Sequence, residues 1–201
     1  MRSPSINRRQ LLQQVAAISL GAGIIPLFGY EKLNEPPQEP SAIYIPPGQG
    51  KAGKVGDMQL TFKFNSKDTS NHLGLWETII MPEELGAPPH YHEKTDELCR
   101  VLEGTVAFMT GNTITTVKAG GWHLRPRGVV HTFWNAGTTK AKTIDICIPG
   151  GHEYYMQELA LLFENNNRPK PEDFKNLEQK YDIHYRFDLL PEITKKYNVK
   201  L

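Results

Sequence analysis

Four residues between positions 90 and 131 have the side chains and the spacing to bind a metal ion. His90 and His92 are one residue apart, Glu97 follows five residues after His92, and His131 comes later in the chain. Two histidines at alternate positions of an extended segment point to the same face. Three imidazoles and one carboxylate that converge inside a β-structure form a site for a first-row transition metal. We therefore predict a metal site made of His90, His92, Glu97 and His131.

The elements that must position these residues are short β-strands. Alternating apolar patterns predict strands at 41–45, 59–64, 73–81, 98–102, 105–109, 113–117, 122–125, 132–135 and 143–148. Turn-forming pairs such as Glu103-Gly104 and Gly111-Asn112 separate several of them. About ten short strands at this spacing indicate a β-sandwich or barrel. Helical spacing then predicts helices at 153–164 and 171–181 and a short one at 191–197, which we expect to cover one face or end of the barrel.

The spacing of the candidate ligands resembles two motifs of the cupin superfamily. The first is His90-x-His92-x4-Glu97-x6-Gly104, with Gly86 three residues before His90 rather than the usual five. The second is Gly120-x5-Pro126-x-Gly128-x2-His131-x3-Asn135. Further segments, at 46–50, 74–77 and 149–153, look like single-domain bacterial cupins similar to quercetin dioxygenases. The resemblance covers about residues 43–181.

The resemblance implies an all-β fold, a cupin jelly-roll β-barrel with C-terminal helices, and one metal ion bound by three histidines and one glutamate. The ion would be iron, manganese, nickel, cobalt, copper or zinc. It also implies a dioxygenase that acts on a phenolic or enolic small molecule, with dioxygen as second substrate. In such enzymes the carboxylate can act as a base, so Glu97 is the candidate catalytic residue; a purely structural ligand is the equal alternative.

Two other functions stay open at this point, because a fold does not decide a function. One is a small-molecule-binding cupin that keeps its metal for structure. The other is a metal-dependent isomerase or lyase. The near-zero net charge of +1 and the absence of a basic run argue against a nucleic acid partner. A homodimer formed through an edge strand is expected by analogy with other cupins.

Several other polar residues are weaker candidates. We expect Asp96 to face outward or to fix a turn, His123 to be a surface or dimer-contact residue, and His152 to cap a helix. We expect Arg125 and Arg127, on either side of Pro126, to hold loops or a dimer partner. Cys99 and Cys147 are expected to be buried free thiols rather than a disulfide.

The N-terminus has the pattern of an export signal. Residues 1–9 are basic, residues 11–28 are mostly apolar, and Asn7-Arg8-Arg9-Gln10-Leu11-Leu12 resembles a twin-arginine signal. An ordinary secretory signal or an uncleaved membrane anchor is the alternative. We predict a signal segment at 1–30, a proline-rich linker at 31–42, a barrel at 43–151 with its motif core at 86–135, and a helical extension at 152–201. The protein would then be exported, either periplasmic or secreted, or membrane-anchored if the signal is retained.

Overall fold

A computed structural model describes residues 41–201 of the chain, in which eleven strands occur. They are β1 (Lys51–Val55), β2 (Met58–Phe64), β3 (Gly74–Ile80), β4 (His90–Tyr91), β5 (Asp96–Glu103), β6 (Thr105–Thr110), β7 (Thr113–Lys118), β8 (Trp122–Arg125), β9 (His131–Asn135), β10 (Ala141–Ile148) and β11 (His184–Tyr185). The α-helices are α1 (His152–Leu162), α2 (Pro171–Lys180) and α3 (Leu190–Tyr197). Short 3-10 helices lie at Ser66–Thr69, Glu164–Asn166 and Phe187–Leu189.

The strands form two antiparallel sheets that pack face to face. One sheet has six strands in the order β1-β2-β3-β10-β5-β8, and the other has five in the order β11-β4-β9-β6-β7. The main apolar cluster draws on both sheets: Ile80 and Val101 come from the first, and Val106 and Phe108 from the second. This arrangement confirms the predicted all-β jelly-roll with C-terminal helices.

Alternation of side chains along the strands decides what faces the interior. In β3 every second residue is buried, and in β5 the buried residues are Glu97, Cys99 and Val101. The parity that places Cys99 and Val101 in the core therefore places the Glu97 carboxylate inside the barrel as well. Cys99 and Cys147 are both buried free thiols, as predicted.

The first strand differs from the prediction. Residues 41–45 form no strand, whereas Lys51–Val55 forms β1 and pairs with β2 along its whole length. β1 is an edge strand with mostly exposed or half-buried residues. An edge strand, which pairs with a neighbour on one side, does not need a regular apolar face. Its sequence therefore shows little alternation.

The C-terminal helices pack against the barrel through two apolar clusters. Tyr155 and Leu159 of α1 meet Leu177 of α2 in one of them. Ile193 of α3 and Val199 meet Trp134 of β9 in the other. Between α2 and α3 the chain forms β11, which pairs with β4 and so reaches the strand that carries His90.

The predicted signal segment at 1–30 and all but the last two residues of the predicted linker at 31–42 lie outside the described residues. Within residues 41–201, no helix combines the length and the apolar character that crossing a bilayer requires.

Candidate metal centre

The structure brings the four predicted ligands together in the interior. His90 of β4 lies directly opposite His131 of β9, His92 follows β4, and Glu97 lies on β5 of the other sheet. All four are buried, and one ligand atom from each lies within 4.8 Å of the others. Residues from two sheets and from both motifs therefore meet at one point, as the spacing predicted.

Backbone carbonyls fix the orientation of each imidazole. Nδ1 of His90 lies 2.7 Å from the Pro88 oxygen, and Nδ1 of His131 lies 2.9 Å from the Val129 oxygen. Nδ1 of His92 bonds the carbonyl oxygen of Asp182. Because a carbonyl oxygen only accepts hydrogen bonds, each Nδ1 carries a proton, so Nε2 is the nitrogen that a neutral imidazole would offer to a metal. Metal-binding histidines commonly have this arrangement.

The polar atoms at the centre fit a divalent ion. His131 Nε2 is buried and has no hydrogen-bond partner among the described residues. His92 Nε2 lies 2.9 Å from Glu97 Oε1, and His131 Nε2 lies 3.8 Å from Glu97 Oε2. A buried polar atom without a partner is costly, and coordination to a metal would satisfy His131. The donor set of three imidazole nitrogens and one carboxylate matches a first-row transition metal.

The buried guanidinium of Arg125 pairs with the Glu97 carboxylate. Its Nη1 forms an ion pair with Glu97 Oε2 at 2.8 Å, and its Nη2 donates to Asp145 Oδ1 at 3.0 Å. The guanidinium is buried and lies against the rings of Phe108 and Phe133. The expectation that Arg125 holds a loop or a dimer partner is therefore wrong. Arg127, in contrast, is exposed and bonds the Asp96 carboxylate and fixes the turn, as expected.

Strand parity is the signal that would have found Arg125. On β8, Trp122 and Leu124 are exposed whereas Arg125 is buried, directly opposite Glu97 on β5. Asp145, on the other neighbouring strand, completes the network: its Oδ2 accepts hydrogen bonds from Thr78 at 2.9 Å and from Thr143 at 2.8 Å. The carboxylates of Glu97 and Asp145 thus both have partners.

Two glycines of the motifs allow close backbone approaches. A Cβ atom at Gly86 would lie 2.0 Å from the Phe133 ring, so only glycine fits where the chain enters the site. Gly128 has φ 75°, a left-handed conformation that favours glycine, and its amide donates to the His92 carbonyl oxygen at 2.6 Å. This bond ties the loop of the second motif to the first.

In the metal-free site, the electrostatics of Glu97, His90 and His131 favour the protonation states that a metal requires. Burial would raise the pKa of the Glu97 carboxyl, but the charge of Arg125 and the bond from His92 hold that pKa well below its usual range. Burial lowers the pKa of His131 to about 4 and that of His90 well below its usual value. Burial also acts to lower the pKa of His92, but Glu97 outweighs it and raises that pKa. Near neutral pH the site therefore offers a carboxylate and at least two neutral imidazoles.

We expect the metal-free protein to lose stability as the pH falls from 7 to 5. The unfolded chain takes up a proton on His131 near pH 6.5, whereas the folded chain does so only at about 4. Stability is therefore present above pH 6.5 and is lost as the pH falls toward 4, by about 2 kcal/mol between pH 7 and 5 for this residue. The raised pKa of His92 opposes this trend, because its contribution is lost as the pH rises.

Urea denaturation of the metal-free protein at the two pH values measures the difference, with His131→Asn as the matched control, which should show a shallower dependence. Equal stability of the wild type at pH 7 and pH 5 would contradict the expectation.

The remaining histidines lie away from the four ligands, with one exception. His123 stacks on Phe108, with ring centroids 4.4 Å apart, and takes no part in the cluster. His152 is buried beside the site, with its Nε2 3.6 Å from Glu97 Oε1. The residue at the N-cap position of α1 is Gly151, and no side chain caps the helix, so the expectation that His152 caps it is wrong.

A cavity of about 680 Å³ reaches two of the candidate ligands, His90 and Glu97. Polar groups of His90, Glu97 and His152 line one part of it. Apolar and aromatic residues line much of the rest, among them Trp76, Phe133, Tyr155, Met156, Leu159, Phe174, Ile183 and Tyr185. Most of these apolar and aromatic residues come from the C-terminal extension, which therefore forms a wall of the cavity.

Comparison with known proteins finds a matching family over part of the chain. Residues 76–147 match a protein family described as Cupin domain. Germin-like protein subfamily T member 2 of Arabidopsis thaliana is 42% identical over 62 residues, which cover 28% of this chain and 28% of that protein. The match thus spans less than a third of the relative's length.

Two solved structures share the fold. KdgF from Halomonas sp. superposes with a TM-score of 0.50 at 15% identity, and the match covers 57% of this chain and 99% of KdgF. A predicted oxalate decarboxylase from Thermotoga maritima also superposes with a TM-score of 0.50, at 16% identity. This match covers 53% of this chain and 99% of that protein's chain. Residues 76–147 thus match the cupin domain family, and the chain shares the jelly-roll fold of these two structures.

Proposed function

We propose that this protein is an exported cupin metalloenzyme that binds one divalent transition metal ion. We propose further that it is a dioxygenase that acts on a phenolic or enolic small molecule. The observation that carries the proposal is the buried cluster of His90, His92, Glu97 and His131. Two of its members, His90 and Glu97, line a cavity with an aromatic wall. Three neutral imidazoles and one carboxylate would hold the ion and leave one or two positions open on a five- or six-coordinate metal.

The residues around the cluster suit an apolar, planar ligand. The cavity is large enough for a small aromatic molecule. Aromatic side chains such as Phe133, Tyr155 and Tyr185 offer faces and edges for a ring. The apolar lining would also exclude water from the ligands. When bound, the metal would act as a Lewis acid toward the oxygen of an enolic or phenolic substrate.

Arg125 helps to distinguish the two roles considered for Glu97, a metal ligand and a catalytic base. The ion pair at Glu97 Oε2 keeps the carboxylate charged and its pKa well below the usual range, with the burial of the group as the opposing influence. A carboxylate with a low pKa is a strong anionic ligand but a weak base. This pairing supports a role of Glu97 in holding the ion, and leaves proton acceptance to be tested by substitution.

Oxygen uptake tests the proposed function. Separate samples of the full chain are reconstituted with each candidate metal, and oxygen consumption is measured with quercetin as probe. We expect uptake that depends on the metal and on quercetin. Turnover of a ligand without oxygen consumption would favour the isomerase or lyase alternative. Binding without turnover would favour the small-molecule-binding alternative.

In the same assay, Glu97→Gln is expected to retain part of the metal and to lose turnover, because the amide keeps the shape of the side chain but loses its charge and basicity. Metal content is measured alongside the rate. Full activity per bound metal ion in this variant would remove Glu97 as the proton acceptor. The control is Glu93→Gln, which changes an exposed glutamate.

Export and dimerisation belong to the same proposal. Support for export comes from the paired arginines and the apolar stretch of residues 1–30. Support for a homodimer comes from β8, an edge strand whose Trp122 and Leu124 are 55% and 53% exposed. Large exposed apolar residues on an unpaired edge favour contact with another chain.

A further inference from the structure

His152 lies beside the four candidate ligands without belonging to them. Its Nε2 lies 3.6 Å from Glu97 Oε1, which is too long for a direct hydrogen bond. Its ring and that of His92 meet edge to face, with centroids 4.6 Å apart at 74°. Its own face stacks on Tyr155, with centroids 4.7 Å apart at 25°. The imidazole is thus held in a defined orientation next to the candidate metal centre.

The first turn of α1 is anchored so that this orientation is maintained. The neighbouring Glu153 is fully buried, and its carboxylate accepts hydrogen bonds from the amides of Ser66 at 2.6 Å and Gly151 at 2.7 Å. A buried carboxylate bonded by two amides fixes the helix start against the barrel. The position of His152 therefore does not depend on its own polar contacts.

The cavity continues from His152 along an aromatic wall. Tyr155 and Tyr185 bond each other through their hydroxyl groups. Tyr185 stacks on Phe187, with centroids 4.8 Å apart, and lies on β11 directly opposite His90. Both tyrosines and His152 line the cavity. A planar ring placed against this wall would lie in the same cavity as His152 and Glu97.

We propose that His152 is a ligand-binding residue whose Nε2 forms a hydrogen bond with a hydroxyl group of a phenolic molecule that lies against the Tyr155–Tyr185 wall. The inference rests on the proposed function and names a residue that the two cupin motifs do not include. Because the imidazole neither belongs to the four-residue cluster nor caps the helix, its nitrogen is available to a ligand in the cavity.

Calorimetric titration with catechol tests the inference. The full chain is loaded with zinc, a redox-inactive ion, so that binding is measured without turnover, and zinc content is determined for each sample. The variants are His152→Phe, which keeps a flat ring without polar atoms, and His152→Gln, which keeps a donor and an acceptor. The control is His72→Phe, because His72 is exposed.

We expect His152→Phe to retain one zinc ion and to bind catechol about five- to tenfold more weakly, the effect of one lost hydrogen bond. His152→Gln should recover part of the affinity, a rescue that a packing role would not produce. Unchanged affinity in zinc-loaded His152→Phe would overturn the inference and leave the proposed function intact. Zinc loss in both His152 variants would overturn it by making His152 a metal ligand. Wild-type protein that binds zinc but no catechol would overturn the phenolic substrate class and this inference together.

Discussion

Replacement of Arg125 by methionine is expected to destabilise the metal-free protein by about 3–5 kcal/mol, since it leaves uncompensated charge in the interior. Arg125 forms ion pairs with Glu97 at 2.8 Å and with Asp145 at 3.0 Å, and all three side chains are buried. Without the guanidinium, two buried carboxylates on neighbouring strands lose their shared counter-charge. Urea denaturation at pH 7 measures the change in the free energy of unfolding.

The neighbouring Arg127→Met is the matched control for this prediction. Arg127 lies two residues away and also pairs with a carboxylate, but its side chain is exposed, so we expect little change in stability. Arg125→Lys should fall between wild type and Arg125→Met, because an ammonium group does not reproduce two directed bonds from one planar guanidinium. Equal stability of Arg125→Met and Arg127→Met would contradict the importance of the buried network.

Replacement of His131 by alanine is expected to abolish stoichiometric metal binding with little loss of β-structure. The variant removes one of three imidazole donors, and that donor nitrogen has no other hydrogen-bond partner in the described structure. Because second-sphere changes alone commonly lower metal affinity by about 10- to 100-fold, loss of a ligand should lower it further. Metal analysis after reconstitution and dialysis measures the stoichiometry, and far-ultraviolet circular dichroism checks the fold.

His72→Ala serves as the control for metal binding, because it removes an exposed histidine that bonds only the nearby Thr69 carbonyl oxygen. It should retain the metal content of the wild type. Equal metal content in His131→Ala and the wild type would refute the assignment of the site.

The C-terminal extension contributes more to the candidate site than a cover for the barrel. Its α1 presents His152 to Glu97, and its β11 pairs with the strand of His90. The carbonyl oxygen of Asp182 orients His92, and the Asp182 carboxylate accepts bonds from the amides of Glu93 and Lys94, both at 2.8 Å. The segment after residue 151 therefore shapes both the ligands and the cavity.

The sequence by itself determined the fold class and the four candidate ligands. Strand alternation and turn residues are local properties, so short strands between Gly-containing turns could be recognised without knowing their partners. His90 and His92 share a face for the same reason, and the fixed spacings of Glu97 and His131 completed the set. The irregular edge strand β1 was missed because pairing on one side places little constraint on its residues.

Only the tertiary structure decided the surroundings of those ligands. Arg125 meets Asp145 across 20 residues of chain, and Asp182 reaches His92 across 90. His152 meets Glu97 because α1 folds back over the barrel. Strand parity indicates that Arg125 faces inward, but the partner of each of these residues depends on which strands become neighbours and on how the helices pack.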